Sequence, residues 1–204
     1  MSVVVLVFVV LTVKQNTYWQ GEIPLFERVV RFEKEFARAH ILLGRAYYFH
    51  KDLDQAVSEY KIGLRIMEGY LKGINSPEKN PFYLGFIKGI HFDLAHCYEE
   101  KGNLREAGQE YEKALAVDPE DSVLHNNLGV NYIRLENFER ASVHFKKAVE
   151  LNPGDLMARN NLALCQIHQG NLREAKAMLQ EILKLDERFV PARQNLEKLK
   201  NQIP

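Results

Sequence analysis

The chain has 204 residues, and its 27 Lys and Arg balance 27 Asp and Glu for a formal net charge of zero. Both signs are mixed along the sequence without a long basic or acidic block, which argues against recognition of nucleic acid or an anionic surface by bulk charge. Seven Pro and twelve Gly in a chain rich in Leu, Ala, Glu and Lys suit a mostly helical protein with defined breaks.

Residues 3–13 are almost all Val, Leu or Phe. As a helix they would span under ~20 Å, short of the ~30 Å hydrocarbon core of a bilayer. The basic leader and small-residue cleavage site of a secretory signal are missing from this stretch. Lys14 and then Tyr18-Trp19 follow, a cation and aromatics of the kind that sit at a membrane interface. Two readings stand: residues 3–13 anchor the chain as the outgoing end of a spanning helix, or they are a buried valine-rich strand or core helix. Residues 1–20 are thus set apart as a membrane-proximal segment and linker. Residues 21–36 fit a half-repeat helix, with Phe26 and Val29 on its packing face.

From there a pattern repeats. Leu94, Leu128, Leu162 and Leu196 are spaced 34 apart, as are Ala107, Ala141 and Ala175. A fixed period of this length means stacked supersecondary units, each unable to bury its apolar stripe alone. The first unit, near 37–70, carries Leu43-Gly44, Tyr47, Ala56 and Tyr60. The second, near 88–121, carries Leu94-Ala95, Tyr98, Ala107, Tyr111, Ala114 and Pro119, with Gly102-Asn103 between its two helices. The third, near 122–155, carries Leu128-Gly129, Tyr132, Ala141, Phe145 and Ala148. Asn152-Pro153-Gly154 ends it, since Pro cannot continue a helix and Gly relieves the turn. The fourth, near 156–189, keeps Leu162-Ala163, Gly170-Asn171, Ala175 and Leu179, but has Gln166 for the aromatic and Glu187 for the Pro. Residues 190–202 read as one capping helix.

One spacing breaks the rule. Leu43 and Leu94 lie 51 positions apart, and the surplus over one period falls at residues 71–87, where Ser76-Pro77 and Asn80-Pro81 mark a loop. The helices on either side are expected to be lengthened into an elbow bearing Tyr70, Phe82, Tyr83 and Phe86. These rings either pack on one another or form an exposed docking knob.

The Leu-Gly, Tyr, Ala, Phe, Ala and Pro offsets resemble the tetratricopeptide repeat (TPR) family. The resemblance implies an all-α, right-handed solenoid of helix-turn-helix repeats, working as a non-catalytic scaffold that binds an extended peptide or partner helix in its concave groove. The order of apolar segment, Tyr18-Trp19, Leu25-Phe26-Glu27 and then repeats also resembles the carboxy-terminal TPR tails of transmembrane O-mannosyltransferases and their bacterial relatives. That would make the chain the substrate-presenting tail of a membrane glycosyltransferase, facing the lumen or periplasm. If residues 3–13 are no membrane helix, a cytoplasmic location is expected instead.

Motifs for catalysis are lacking: there is no Gly-rich phosphate loop, Cys-x-x-Cys, His-Glu-x-x-His or nucleophile elbow. No catalytic residue, metal or cofactor is therefore assigned. Cys97 and Cys165 hold the same place in two repeats separated by a third, too far apart to bridge. His40, His91 and His125 share one offset and read as packing residues too distant from each other to share an ion.

A different register carries the candidate site. The second, sixth, ninth and thirteenth positions of each first helix form one stripe, which the family resemblance places on the concave face. The sixth position reads Leu42, Asp93, Asn127, Asn161 and Asn195. Asn is a mediocre helix former, and its amide can both donate to and accept from a peptide backbone. A similar asparagine ladder lines the groove of the O-linked N-acetylglucosamine transferase repeats. The resemblance gives Asn127, Asn161 and Asn195 that role, with Asp93 as a charged variant. The alternative is that these amides bridge adjacent helices or face water. Three or four pairs at ~0.5–1.5 kcal/mol per hydrogen bond fall short of the ~8 kcal/mol of micromolar binding. Arg45, His96, Arg134 and His168, on the same stripe, are expected to supply more. The partner is a protein or peptide and not nucleic acid.

Overall fold

The computed structural model describes residues 21–72 and 80–200. The apolar segment 1–20, residues 73–79 of the elbow and residues 201–202 of the expected capping helix lie outside the described residues. Ten α-helices account for the rest: α1 (Glu22–Phe32), α2 (Ala37–Phe49), α3 (Leu53–Lys72), α4 (Pro81–Glu100), α5 (Leu104–Val117), α6 (Ser122–Arg134), α7 (Phe138–Leu151), α8 (Leu156–His168), α9 (Leu172–Leu185) and α10 (Val190–Lys200). They form two compact units, one ending at Lys101 and the other beginning at Gly102.

In the first unit α1 packs on α2, α2 on α3, and α3 on α4. The first helix stops at Phe32, short of the expected boundary at residue 36. Glu33 leaves helical space (φ −118, ψ 71), and the Phe36 N–H closes a turn onto the Glu33 carbonyl. Helices α3 and α4 each run to 20 residues, against 13 or 14 for their counterparts in the second unit. The core is Leu43, Ala46, Ala56 and Tyr60, continued by Ile90, Leu94 and Ala95.

In the second unit successive helices pack pairwise from α5 to α10. Ala107, Tyr111, Leu128, Ala141, Phe145 and Ala148 are all fully buried. Ala163, Leu179, Ile182 and Ala192 extend that core under α10, with Phe189 and Leu196 packed against it. The small residue after each Leu has a measurable purpose. A Cβ on Gly129 would lie 2.7 Å from the Phe145 ring, and one on Gly44 2.9 Å from Tyr60. Where this position is Ala163, the facing side chain is Leu179, which is not a ring.

Two local devices recur in both units. Each turn inside a repeat passes through the left-handed region at the same register: Lys51 (φ 65), Gly102 (φ 79), Glu136 (φ 58) and Gly170 (φ 81). That is how the first helix ends, with Gly where the sequence supplies it. In addition, the fourth position of the first helix donates to the carbonyl six residues earlier. His40 Nε2 meets the Lys34 carbonyl at 3.0 Å, His125 Nε2 meets that of Pro119 at 3.0 Å, and Arg193 meets that of Glu187. The histidines are therefore more than the packing residues the sequence suggested. Helices α6 and α8 are capped by Asp121 and Asp155, each accepting two backbone N–H bonds at 2.9–3.0 Å.

Candidate functional site

In the first unit the stripe builds a cleft between α2 and α4. Arg38, Leu42 and Arg45 come from the second, sixth and ninth positions of α2, and Gly89 and Asp93 from the second and sixth positions of the next repeat. Ile41, Phe82, Gly85, Phe86 and Ile90 complete its wall, around a volume of about 380 Å³. Arg45 Nη2 donates to Asp93 Oδ2 at 3.1 Å. The same two residues border a second cavity of about 230 Å³ with Tyr48, Phe49, Tyr60, Phe92 and His96. The ion pair thus stands between two hollows.

Further along, Tyr48 OH and Lys51 Nζ donate to the two oxygens of Glu100 at 2.5 and 2.7 Å. Lys51 and then Tyr48 hold the Glu100 carboxyl below its ordinary range. The bond to Glu100, with burial, pushes the Tyr48 phenol up to about 12. His96 stacks edge-on to Phe92 and pairs with Glu99 at 3.6 Å. The elbow rings pack on one another, the first of the two readings the sequence left open. Phe82 lies edge-on to Tyr83 and Phe86, at 5.4 and 4.9 Å between centroids, yet remains 64% exposed.

In the second unit Asn127, Asn161 and Asn195 are all half-buried. Asn161 Nδ2 donates to Asn126 Oδ1 at 3.2 Å, and Asn195 Nδ2 donates to Asn160 Oδ1 at 3.0 Å. Two of the three ladder amides, Asn161 and Asn195, are therefore tied sideways to the fifth position of the preceding first helix. This bridging leaves each amide its oxygen and one N–H, enough for one acceptor and one donor bond to a backbone. Arg134 is exposed on the last turn of α6. His168 lies flat on Phe138 with centroids 3.9 Å apart and planes 8° apart, so one ring face is already covered.

Sequence reasoning missed Phe82, Gly85 and Phe86 as cleft residues. They continue the stripe backward from Asp93 at i−11, i−8 and i−7, and that spacing was the available signal. It also missed a partner for His125: its Nδ1 lies 3.1 Å from His144 Nδ1, and the rings stack 5.4 Å apart. The equivalent pair in the first unit is His40 with Glu59, at 2.6 Å.

Neither cysteine offers a nucleophile. Burial pushes the thiols of Cys97 and Cys165 up to about 12, with Asp93 and Glu100 adding to the effect at Cys97. A thiol so raised is protonated at neutral pH. Among the described residues no group of three His, Cys, Asp or Glu side chains could hold a metal ion, and no helix is long and apolar enough to cross a membrane.

Family models described as tetratricopeptide repeat match residues 89–121 and 132–199. Both stretches are similar to tetratricopeptide repeats. A DnaJ protein of Arabidopsis thaliana, the P58IPK homolog, is 30% identical over 115 residues, covering 55% of this chain. The chain spans only 23% of that protein's length. Among solved structures, YrrB, described as a TPR protein with an unusual peptide-binding site, is 23% identical with a TM-score of 0.67, covering 87% of this chain and 82% of its own. MamA is 15% identical with a TM-score of 0.69, covering 86% and 92%. The first TPR of Spaghetti (RPAP3), bound to the HSP90 peptide SRMEEVD, is 26% identical with a TM-score of 0.54, covering 56% of this chain and 91% of its own. The likeness to YrrB and MamA, both below 25% identity, shows the all-α fold.

Proposed function

We propose that this chain is a non-catalytic scaffold that binds an extended peptide or partner helix along the stripe of its first helices. Asn127, Asn161 and Asn195 hold the peptide backbone in the second unit, with Arg134 and His168 beside them. Asp93, Arg45 and His96 contribute in the first. The observation that carries this reading is the pair of amide bridges from Asn161 and Asn195. Each fixes a side chain that would otherwise rotate freely, so less rotamer freedom is lost when a ligand arrives. A fixed amide that still has one donor and one acceptor open suits a peptide group, which needs both satisfied. Peptide binding by the Spaghetti TPR lends the same direction to the reading. The glycosyltransferase-tail alternative rests on residues 1–20 and on Leu25-Phe26-Glu27, and gains no support from the described helices.

The test is a randomised peptide library selected on the wild-type chain, followed by titration of the selected peptides against an Asn127/Asn161/Asn195→Ala variant. A loss of ten-fold or more is expected, since each lost bond contributes about 0.5–1.5 kcal/mol. Unchanged binding with helical content intact would rule out the ladder.

A further inference from the structure

The cleft of the first unit differs in kind from the amide ladder. Its α4 wall is Phe82, Gly85, Phe86 and Gly89, and the first three belong to turns that precede the repeat itself. Gly85 and Gly89 are four apart on one helix face. Among the described residues a Cβ at either would meet nothing within 4 Å, whereas Gly44, Gly63, Gly108 and Gly129 are each crowded by a neighbour. Gly inside a helix costs about 1 kcal/mol relative to Ala. At these two positions no packing among the described residues offsets that cost. The result is a strip of bare helix backbone between aromatic rings, open to the approach of a second backbone.

The chemistry of the walls selects the kind of backbone. Ile41, Leu42, Phe82, Phe86, Ile90 and the glycines offer no side-chain donor or acceptor, and the α4 backbone is bonded within its own helix. An extended peptide laid here would leave its N–H and C=O groups unsatisfied. A helix brings its own hydrogen bonds. Charge lies at the rim: Arg45 is engaged by Asp93, while Arg38 is exposed and joins no ion pair among the described residues.

We infer that this cleft docks an amphipathic α-helix of a partner protein. The helix crosses α4 over Gly85 and Gly89, places large aliphatic or aromatic side chains between Phe82, Phe86 and Leu42, and sets a carboxylate on Arg38. This assignment rests on reading the chain as a partner-binding scaffold, and it gives the two units separate ligands: a helix for the first, an extended peptide for the second.

The experiment uses the full chain and a randomised library of 18-residue peptides, with selected sequences synthesised, checked for induced helicity by circular dichroism and titrated by fluorescence anisotropy. The expected class has apolar residues at i, i+3, i+4 and i+7 with at least one Asp or Glu. It should weaken at least ten-fold on a Gly85→Leu/Gly89→Leu variant, which fills the strip. It should also weaken several-fold on Arg38→Glu and recover there when the peptide acid becomes Lys. An Asn127/Asn161/Asn195→Ala variant should bind it normally. Should the leucines disturb α4, Gly85→Ala/Gly89→Ala serves instead, because Ala favours the helix while still standing in the strip; a three-fold or greater loss is expected. Helical peptides that bind the filled cleft unchanged would overturn the inference. Selection of extended peptides alone, sensitive only to the Asn variant, would overturn it and leave the scaffold reading standing. Recovery of no binding peptide at all would sink both.

Discussion

The two units place different chemistry at the same register positions. In the first, side chains between helices are joined by charge: Arg45 with Asp93, Lys51 with Glu100, and Lys101 with Asp54, while His40 lies 2.6 Å from Glu59. In the second, neutral joints appear, Asn161 on Asn126, Asn195 on Asn160 and His125 on His144, beside the Tyr132 hydroxyl on Glu112. The first unit also stretches α3 and α4 beyond the repeat, while the second keeps the period. A repeat therefore fixes where helices touch and leaves open what holds them there. Exposed ion pairs such as Lys51–Glu100 contribute little to stability, so the packing positions must do most of the holding in both units.

That last statement can be broken at the small residue of each repeat. Gly129→Ala would put a methyl 2.7 Å from the buried Phe145 ring, and overpacking of this kind costs about 1–3 kcal/mol. The expected outcome is a fall in the thermal midpoint of several degrees, read by circular dichroism. Adding Phe145→Leu should recover most of the loss, because Ala163 already faces Leu179 in the next repeat. Gly44→Ala should act the same way on Tyr60 in the first unit. If the double variant is no better than the single one, the ring is not what demands glycine.

A second variant tests the unit that keeps the period most faithfully. Asn131 is fully buried, and neither its Nδ2 nor its Oδ1 has a hydrogen-bond partner. The same register holds Cys97 in the first unit and Cys165 in the next repeat, both buried and free. An unpaired buried amide costs about 1–3 kcal/mol. Asn131→Cys should therefore stabilise the chain by about 1 kcal/mol or more in urea titrations, with the slope unchanged. A loss of stability instead would mean the amide is satisfied, for example by water bridging it.

The fold was legible because packing leaves a one-dimensional trace. Leu128, Gly129, Ala141 and Phe145 repeat at fixed offsets, and each offset corresponds to a buried contact. The joints between helices were harder to read. Asn161 carried a visible register signal, yet the sequence could not say whether its amide turns toward a ligand or toward Asn126, because the period fixes the position of a side chain and not its partner. Phe82 and Phe86 belong to a stripe that runs past the repeat boundary, and a reading tied to the 34-residue period stops at that boundary. His144 gave no signal, since its meaning depends on the ring 19 positions away across a turn.

That histidine yields the smallest expected effect and the sharpest contrast between units. His144 is faced by His125 from α6, by Glu112 from α5, by Arg140 one turn earlier on its own helix, and by the stacked ring of Tyr132. Burial lowers its pKa from the ordinary 6.5, and His125 and Arg140 lower it further against the pull of Glu112. A depressed value means the unfolded chain takes up this proton more readily than the folded one. Stability should thus hold above about pH 6.5, fall as pH drops through that value, and level off below the folded-state pKa. Glu59 fills the equivalent place in the first unit, so a carboxylate faces His40 there. His144→Glu would carry that arrangement into the second unit and should flatten the decline between pH 7 and pH 5 in urea titrations. If the variant declines as steeply as the wild type, the acid response originates elsewhere, and the His125–His144 contact is a packing feature alone.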